Sequence, residues 1–320
     1  GYQYFSINLQ TRKIDQLTFK KGEKRGEIVG PKTRKVFYII KDSVFSTHID
    51  THETEFIYKF NKDVIGFVST LNANETLLGG AIITKEENEI YKKNPSKSSY
   101  FNKIYEAELE RSLITINVNT KEFKNIYSEN AWLNHIQFSP TDPNLMMYCH
   151  EGPWHKVDRI WTTNVKKHNN QLIHKRTVDR EIAGHEFFSR DGKTIWFDLQ
   201  IPRSVTFYLA GKHLDTGEEF RYALKRDEWS IHYNISQDQK SFAGDGGDPS
   251  QVARAEDGMW LYHFTPKKDS LLSTKLVNMK NHNYDLEPNV HFFPDGKKII
   301  FRANFEGITQ IYAVDINKHL

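Results

Sequence analysis

The sequence predicts an all-β fold: a seven-bladed β-propeller whose first blade is incomplete at the N-terminus of this chain. Three observations carry that expectation. Long amphipathic helical patterns are scarce, and short alternating segments rich in Tyr, Phe, Ile, Val and Thr recur between Asp/Asn/Gly/Lys turns. Those segments form two kinds of hairpin that alternate along the chain. Seven of one kind alternate with six of the other, so the chain divides into blades of about 46 residues, inside the usual range of about 40–50.

The first kind of hairpin joins two half-apolar strands through a polar turn. Tyr4–Thr18 and Leu113–Tyr127 are clear copies, and others occupy roughly 47–60, 160–175, 207–224, 259–277 and 311–320. The second kind is a strand, a Pro/Asp/Gly/Lys turn and a more apolar strand. His185–Phe197 and His291–Phe301 show it best, with looser copies near 28–41, 64–84, 133–149 and 230–244. In a four-stranded blade the apolar hairpin belongs inside and the polar one at the outer edge. The count therefore leaves one inner hairpin missing before Tyr4. A β-sandwich would not predict so strict an alternation. A single propeller domain over residues 1–320 is expected, interrupted at about 85–111 by a surface insertion, either a solvated excursion or a lid.

Composition narrows the functional classes. With 38% hydrophobic and 13% aromatic residues the chain can bury a sizeable core. Charged residues, 27% of the total, nearly cancel to +3, which argues for no nucleic-acid partner but leaves room for a local patch that meets an acidic substrate. A single cysteine, Cys149, excludes an intrachain disulfide framework and a multi-cysteine zinc site. No run of 18 apolar residues offers a membrane-spanning helix. The first residues form no signal peptide and do not open on Met, so the N-terminus reads as processed or trimmed. Periplasm and cytoplasm both stay open, as does the oligomeric state.

Four segments break the plain repeat. The first runs from Trp132-Leu-Asn-His135 to Met147–Trp161, where His150, Glu151, His155, Asp158 and Arg159 crowd around Gly152 and Pro153. A solvated charged loop would not need the interleaved Trp and Cys. The second is Ala183-Gly184-His185-Glu186-Phe187; a lone strand histidine is more often structural than catalytic. The third is Glu228-Trp-Ser-Ile-His232 followed by Gly244-Asp-Gly-Gly-Asp-Pro249. Its glycines lack a phosphate-loop context and suit close backbone approach. His232 and His185 hold like positions in adjacent blades and should share one end. In the fourth, Glu287, Asn289 and His291 alternate on one strand face, and with His232 they make a plausible mixed N/O site for a divalent ion such as manganese. A satisfied polar ladder is the plainer alternative.

Together these segments resemble the oligogalacturonate lyases, seven-bladed propeller enzymes of the pectin pathway. The resemblance covers nearly the whole chain and is most specific at Cys149-His-Glu-Gly-Pro with Val157-Asp-Arg-Ile-Trp161, at Glu129–His135 and at Gly184–Phe187. It implies that His185 is the catalytic base, that Arg159 binds a substrate carboxylate and that His232 binds metal. His135, His150 and Glu151 are candidates for substrate contact. The pattern departs on the last inner strand: a glutamine and two histidines of the family are replaced by Tyr284, Glu287 and Asn289, with His291 two residues beyond.

The implied reaction is β-elimination on an acidic oligosaccharide, a 4-linked oligogalacturonide. A divalent metal and Arg159 would neutralise the uronate carboxylate, and His185 would remove the C5 proton to give a 4,5-unsaturated product. A lyase acting on a glucuronate-containing glycan is an alternative. A non-catalytic glycan-binding or scaffolding propeller is another, although it would not need His, Arg and Glu gathered on one rim.

Overall fold

The computed structural model describes residues 2–248 and 259–318; Pro249 and the last two residues of the final expected hairpin lie outside them. The chain divides into two compact units, Gly1–Pro153 with Arg159–Ile173, and Trp154–Asp158 with His174–Leu320.

The first unit holds a two-stranded sheet of β1 (Phe5–Ile7) and β2 (Ile14–Gln16) and three four-stranded antiparallel meanders. These are β3 (Arg25–Gly30), β4 (Lys35–Ile40), β5 (Ser43–His48) and β6 (Thr54–Lys59); β7 (Ile65–Leu71), β8 (Leu77–Ile83), β9 (Arg111–Asn117) and β10 (Phe123–Glu129); and β11 (Leu133–Phe138), β12 (Leu145–His150), β13 (Ile160–Asn164) and β14 (Asn170–Leu172). Burial follows the two kinds of hairpin. Val36–Ile40 of β4 are buried on both faces, whereas β10 buries only Ile126. A strand covered on both sides reads as a continuous apolar run, and an outer strand alternates.

The second unit holds β15 (Ile182–Phe188), β16 (Thr194–Gln200), β17 (Phe207–His213) and β18 (Glu219–Leu224), then β19 (Tyr233–Ile235), β20 (Phe242–Gly244), β21 (Trp260–Lys267) and β22 (Ser270–Asn278), then β23 (His291–Phe292), β24 (Lys298–Ala303) and β25 (Gln310–Asp315). One parallel bridge, Ala223 to Ser270, joins its first two meanders into an eight-stranded sheet. Counting that pair as two, the described residues hold seven blades: one of two strands, five of four and one of three. The sheets are those of the expected β-propeller.

The inner strands share a feature that alternation alone does not reveal. A β-bulge interrupts the ladder between Arg25 and Ile28, Val68 and Thr70, Asn134 and Gln137, and Gly184 and Phe187. At three of these bulges one residue takes a left-handed backbone: Gly26 (φ 67°), His135 (φ 47°) and His185 (φ 53°). Asn289, just ahead of β23, does the same (φ 52°). Bulges re-aim a side chain out of the pleat and gather beside active sites.

The insertion between β8 and β9 is helical and docked, more than a solvated excursion. Its helices are α1 (Lys85–Lys93), capped by the Thr84 hydroxyl on the Glu87 amide, and α2 (Lys97–Ala107). Glu87, although on a polar helix, is buried and ion-paired with buried Arg111 of β9. Arg111 also donates to the Leu133 carbonyl at 2.7 Å and to the Tyr91 hydroxyl at 3.2 Å. From α2, Phe101 packs edge-on to Trp132 with centroids 5.2 Å apart. Tyr105 lies so close to Gly152 (φ 152°) that a Cβ there would sit 2.5 Å from the ring. No described helix is long and apolar enough to cross a membrane.

Removing one member of a buried ion pair strands its partner's charge. Arg111→Met should therefore destabilise the protein by about 3 kcal/mol, measured as a lower urea midpoint, and adding Glu87→Gln should recover part of that loss.

Candidate active site

In the second unit, β15 enters with Ile182-Ala-Gly and bulges at His185, so the half-buried imidazole leaves the plane of the ladder. Trp154 presses edge-on against it, centroids 4.8 Å apart at 83°. Gly184 makes room for that approach, since a Cβ there would meet the Trp154 ring at 3.0 Å. Trp229 stands 6.2 Å from the His185 ring and His232 stands 5.3 Å from it, so the two histidines expected at one end do meet.

His232 is fixed by Asp245, a carboxylate with no exposed surface. Oδ1 accepts the His232 backbone N–H at 2.8 Å and Oδ2 faces Nδ1 at 2.9 Å. Oδ2 also accepts the Asn289 amide at 3.2 Å, and the Asp245 carbonyl accepts the Tyr284 hydroxyl at 2.8 Å. The glycines around Asp245 allow this crowding: a Cβ on Gly244 would lie 2.3 Å from Ser230 Oγ, and one on Gly246 2.3 Å from the Trp260 carbonyl. Burial pushes the His232 imidazolium towards losing its proton, but the hydrogen bond and charge of Asp245, with Glu287, outweigh it and raise the pKa; Arg302 opposes them.

The four expected metal donors do not form one set. His232 Nε2 and Glu287 Oε2 lie 3.8 Å apart. Asn289 turns its amide nitrogen onto the Glu287 carbonyl at 3.2 Å. His291 faces Asn234, 3.4 Å from Nδ1, and burial, with Arg190, lowers its pKa. Among the described residues no three His, Cys, Asp or Glu side chains are arranged to hold a metal ion. Among the described residues, one imidazole and one carboxylate are fewer than the several converging donors a resident divalent site draws on.

In the first unit, Glu151 receives Arg159 Nη1 at 2.7 Å, and the Arg159 side chain is fully buried. His135, on the β11 bulge, brings Nε2 to 3.4 Å from the other Glu151 oxygen. Burial pushes the Glu151 carboxyl up, but the Arg159 charge and hydrogen bond, with His135 and the Gly152 amide, outweigh it and hold the group at about 2. His150 is drawn elsewhere, its Nε2 3.1 Å from Glu129 and its ring stacked on Trp161. Asp158 supports Arg176 of its own unit, with Nε at 3.1 Å.

Asp245, Trp154 and Trp229 lie in segments that break the repeat but are not among the expected site residues, and Asp198 lies outside those segments. Asp198 pairs with Gly184 across the β15–β16 ladder and is fully buried, its Oδ2 accepting from Gln200 Nε2 at 3.0 Å. Burial drives its carboxyl up to about 7 against the pull of Trp229 and Gln200.

A family profile described as oligogalacturonate lyase matches residues 1–320. The chain belongs to the oligogalacturonate lyase family. It is 25% identical to an oligogalacturonide lyase of Pectobacterium atrosepticum, an alignment covering 98% of this chain and 83% of the relative. The solved oligogalacturonate lyase of Vibrio parahaemolyticus is 25% identical, covers 99% of this chain and 84% of its own, and superposes with a TM-score of 0.86. An oligogalacturonate lyase solved in complex with manganese shares 23% identity over 98% of this chain and 82% of its own, with a TM-score of 0.84, which supports the propeller fold. The chain therefore carries the fold of these relatives.

The folded protein keeps the Asp198 proton up to about pH 7, whereas an unfolded aspartate releases it near 3.8. Each pH unit between those values costs the native state up to about 1.4 kcal/mol through this group, and the loss levels off above the folded pKa. Compared with Asp198→Asn by urea unfolding, the wild type should lose about 2–4 kcal/mol of relative stability between pH 4 and pH 7.

Proposed function

We propose that the chain is an oligogalacturonate lyase that cleaves short 4-linked galacturonides by β-elimination, with His185 as the base. The observation that carries this reading is the setting of His185: a histidine held in a left-handed bulge, wedged by Trp154 and backed by the Asp245–His232 pair, in a chain that matches the family from end to end.

In the proposed reaction an imidazole nitrogen of His185 removes the C5 proton of the uronate. The electron pair left at C5 forms the C4=C5 double bond as the C4–O bond breaks, and the departing alkoxide takes up a proton, so no water is consumed. Asp245 orients His232 beside the base and holds its positive charge near the developing enolate. Trp154 and buried Trp229 keep water from the imidazole, and the partly exposed Trp154 offers a flat surface suited to a sugar face. The manganese held by a solved relative would meet two donors here, His232 Nε2 and Glu287 Oε2, and no step is assigned to it.

Arg159 keeps the carboxylate-binding role that the resemblance assigns. Its guanidinium now serves Glu151, so in this proposal a substrate carboxylate takes over part of that bond. His135 and Glu151 are proposed as neighbours in that exchange, and His150, held by Glu129 and Trp161, as a more distant support. A lyase acting on a glucuronate-containing glycan is the second reading, favoured by the replacements at Tyr284, Glu287 and Asn289.

Purified protein offered a panel of oligouronides should form an unsaturated product from oligogalacturonides, followed by ultraviolet absorbance. His185→Ala should lower that rate on the order of 10³-fold while circular dichroism stays unchanged. A wild-type rate in the variant overturns the assignment of the base.

A further inference from the structure

Among the described residues the last inner segment gathers no metal-holding cluster, and a cation stands beside it. Tyr284 and Asn289 direct their polar groups to the carbonyls of Asp245 and Glu287, and the Glu287 carboxylate faces His232. Arg302 of β24 runs along the same segment. Its backbone amide donates to the Pro288 carbonyl at 3.0 Å and its Nε to the Glu287 carbonyl at 2.7 Å. The side chain is exposed, and among the described residues no carboxylate pairs with it. The other cations of this region are engaged: Lys298 with Asp315 at 3.1 Å, and Arg190 with the Ile235 carbonyl and the Asn234 amide. The charge of Arg302 reaches His232, whose hold on its proton it weakens.

Two physical consequences follow from that placement. A guanidinium bonded to the Glu287 carbonyl, its charge felt at His232, repels a divalent ion from the two donors that converge among the described residues, His232 and Glu287. With Nε committed to a carbonyl, the two terminal nitrogens remain as a planar fork of the kind that grips a carboxylate. We propose that Arg302 receives the C6 carboxylate of the uronate at the reacting position, so that this chain neutralises it with a built-in guanidinium in place of an exchangeable divalent cation. The inference rests on the lyase reading and specifies how that site holds its substrate.

The experiment compares wild type, Arg302→Gln and Arg302→Lys on trigalacturonate, each assayed after chelator treatment and again with manganese added, with bound metal measured by mass spectrometry. Wild type should turn over within about twofold with and without metal. Arg302→Gln should lose on the order of 100-fold in kcat/KM, and Arg302→Lys should recover part of it. Calorimetry in a His185→Ala background should show trigalacturonate binding weakened at least tenfold by Arg302→Gln, a readout independent of turnover. Wild-type activity that vanishes on chelation and returns with manganese, with Arg302→Gln matching wild type, overturns the inference and leaves the lyase reading standing. No unsaturated product from wild type under either condition overturns both.

Discussion

Everything at the candidate site hangs on a backbone irregularity, the bulge in the innermost strand. A regular strand would alternate its side chains between two packed faces, and a histidine there would be buried in a blade interface. One extra residue with positive φ turns the side chain out of that alternation. An imidazole in the left-handed region costs about 1 kcal/mol, a strain that histidine tolerates better than a branched residue would. In β15 the ladder on either side, with Gly184 yielding space to Trp154, holds the strained residue in place. The same device sets His135 in β11 and leaves glycine at its counterpart in β3.

Asp245 is the second organising group, and it acts through geometry more than through its own chemistry. A buried carboxylate needs its lone pairs filled, and here they are filled by the His232 amide and ring and by the Asn289 amide, while the Asp245 backbone carbonyl accepts the Tyr284 hydroxyl. Such a hub fixes several elements at once, because moving any one of them leaves a buried charge short of partners.

Much of the fold was legible in the sequence because blade chemistry is local. Apolar runs such as Val36–Ile40 and turns such as Pro294-Asp-Gly-Lys297 announce inner hairpins directly, and both fall where the strands lie. The pairing of His185 with His232 was also readable, since equivalent repeat positions come together in adjacent blades. What escaped was whatever depends on a single backbone angle or on a partner distant in sequence. Nothing in Asn134-His-Ile-Gln137 signals a bulge, Asp245 looks like one more turn residue among glycines, and nothing near His150 in sequence points to Glu129, which lies 3.1 Å from its Nε2. The spacing of Glu287, Asn289 and His291 predicted one shared face, which the left-handed turn at Asn289 breaks.

The helical insertion has a consequence for the history of the chain. Its polar surface and odd length give it the look of an accessory that could be clipped away or exchanged. Yet it contributes the counter-charge to an arginine inside a neighbouring strand and the rings that cover Trp132. A deletion would expose an indole and orphan a guanidinium in the same event, so loss or gain of this segment demands at least two further substitutions, at Arg111 and Trp132. Chains that carry the arginine and the tryptophan should carry the helices as well, and the three should be inherited as a block.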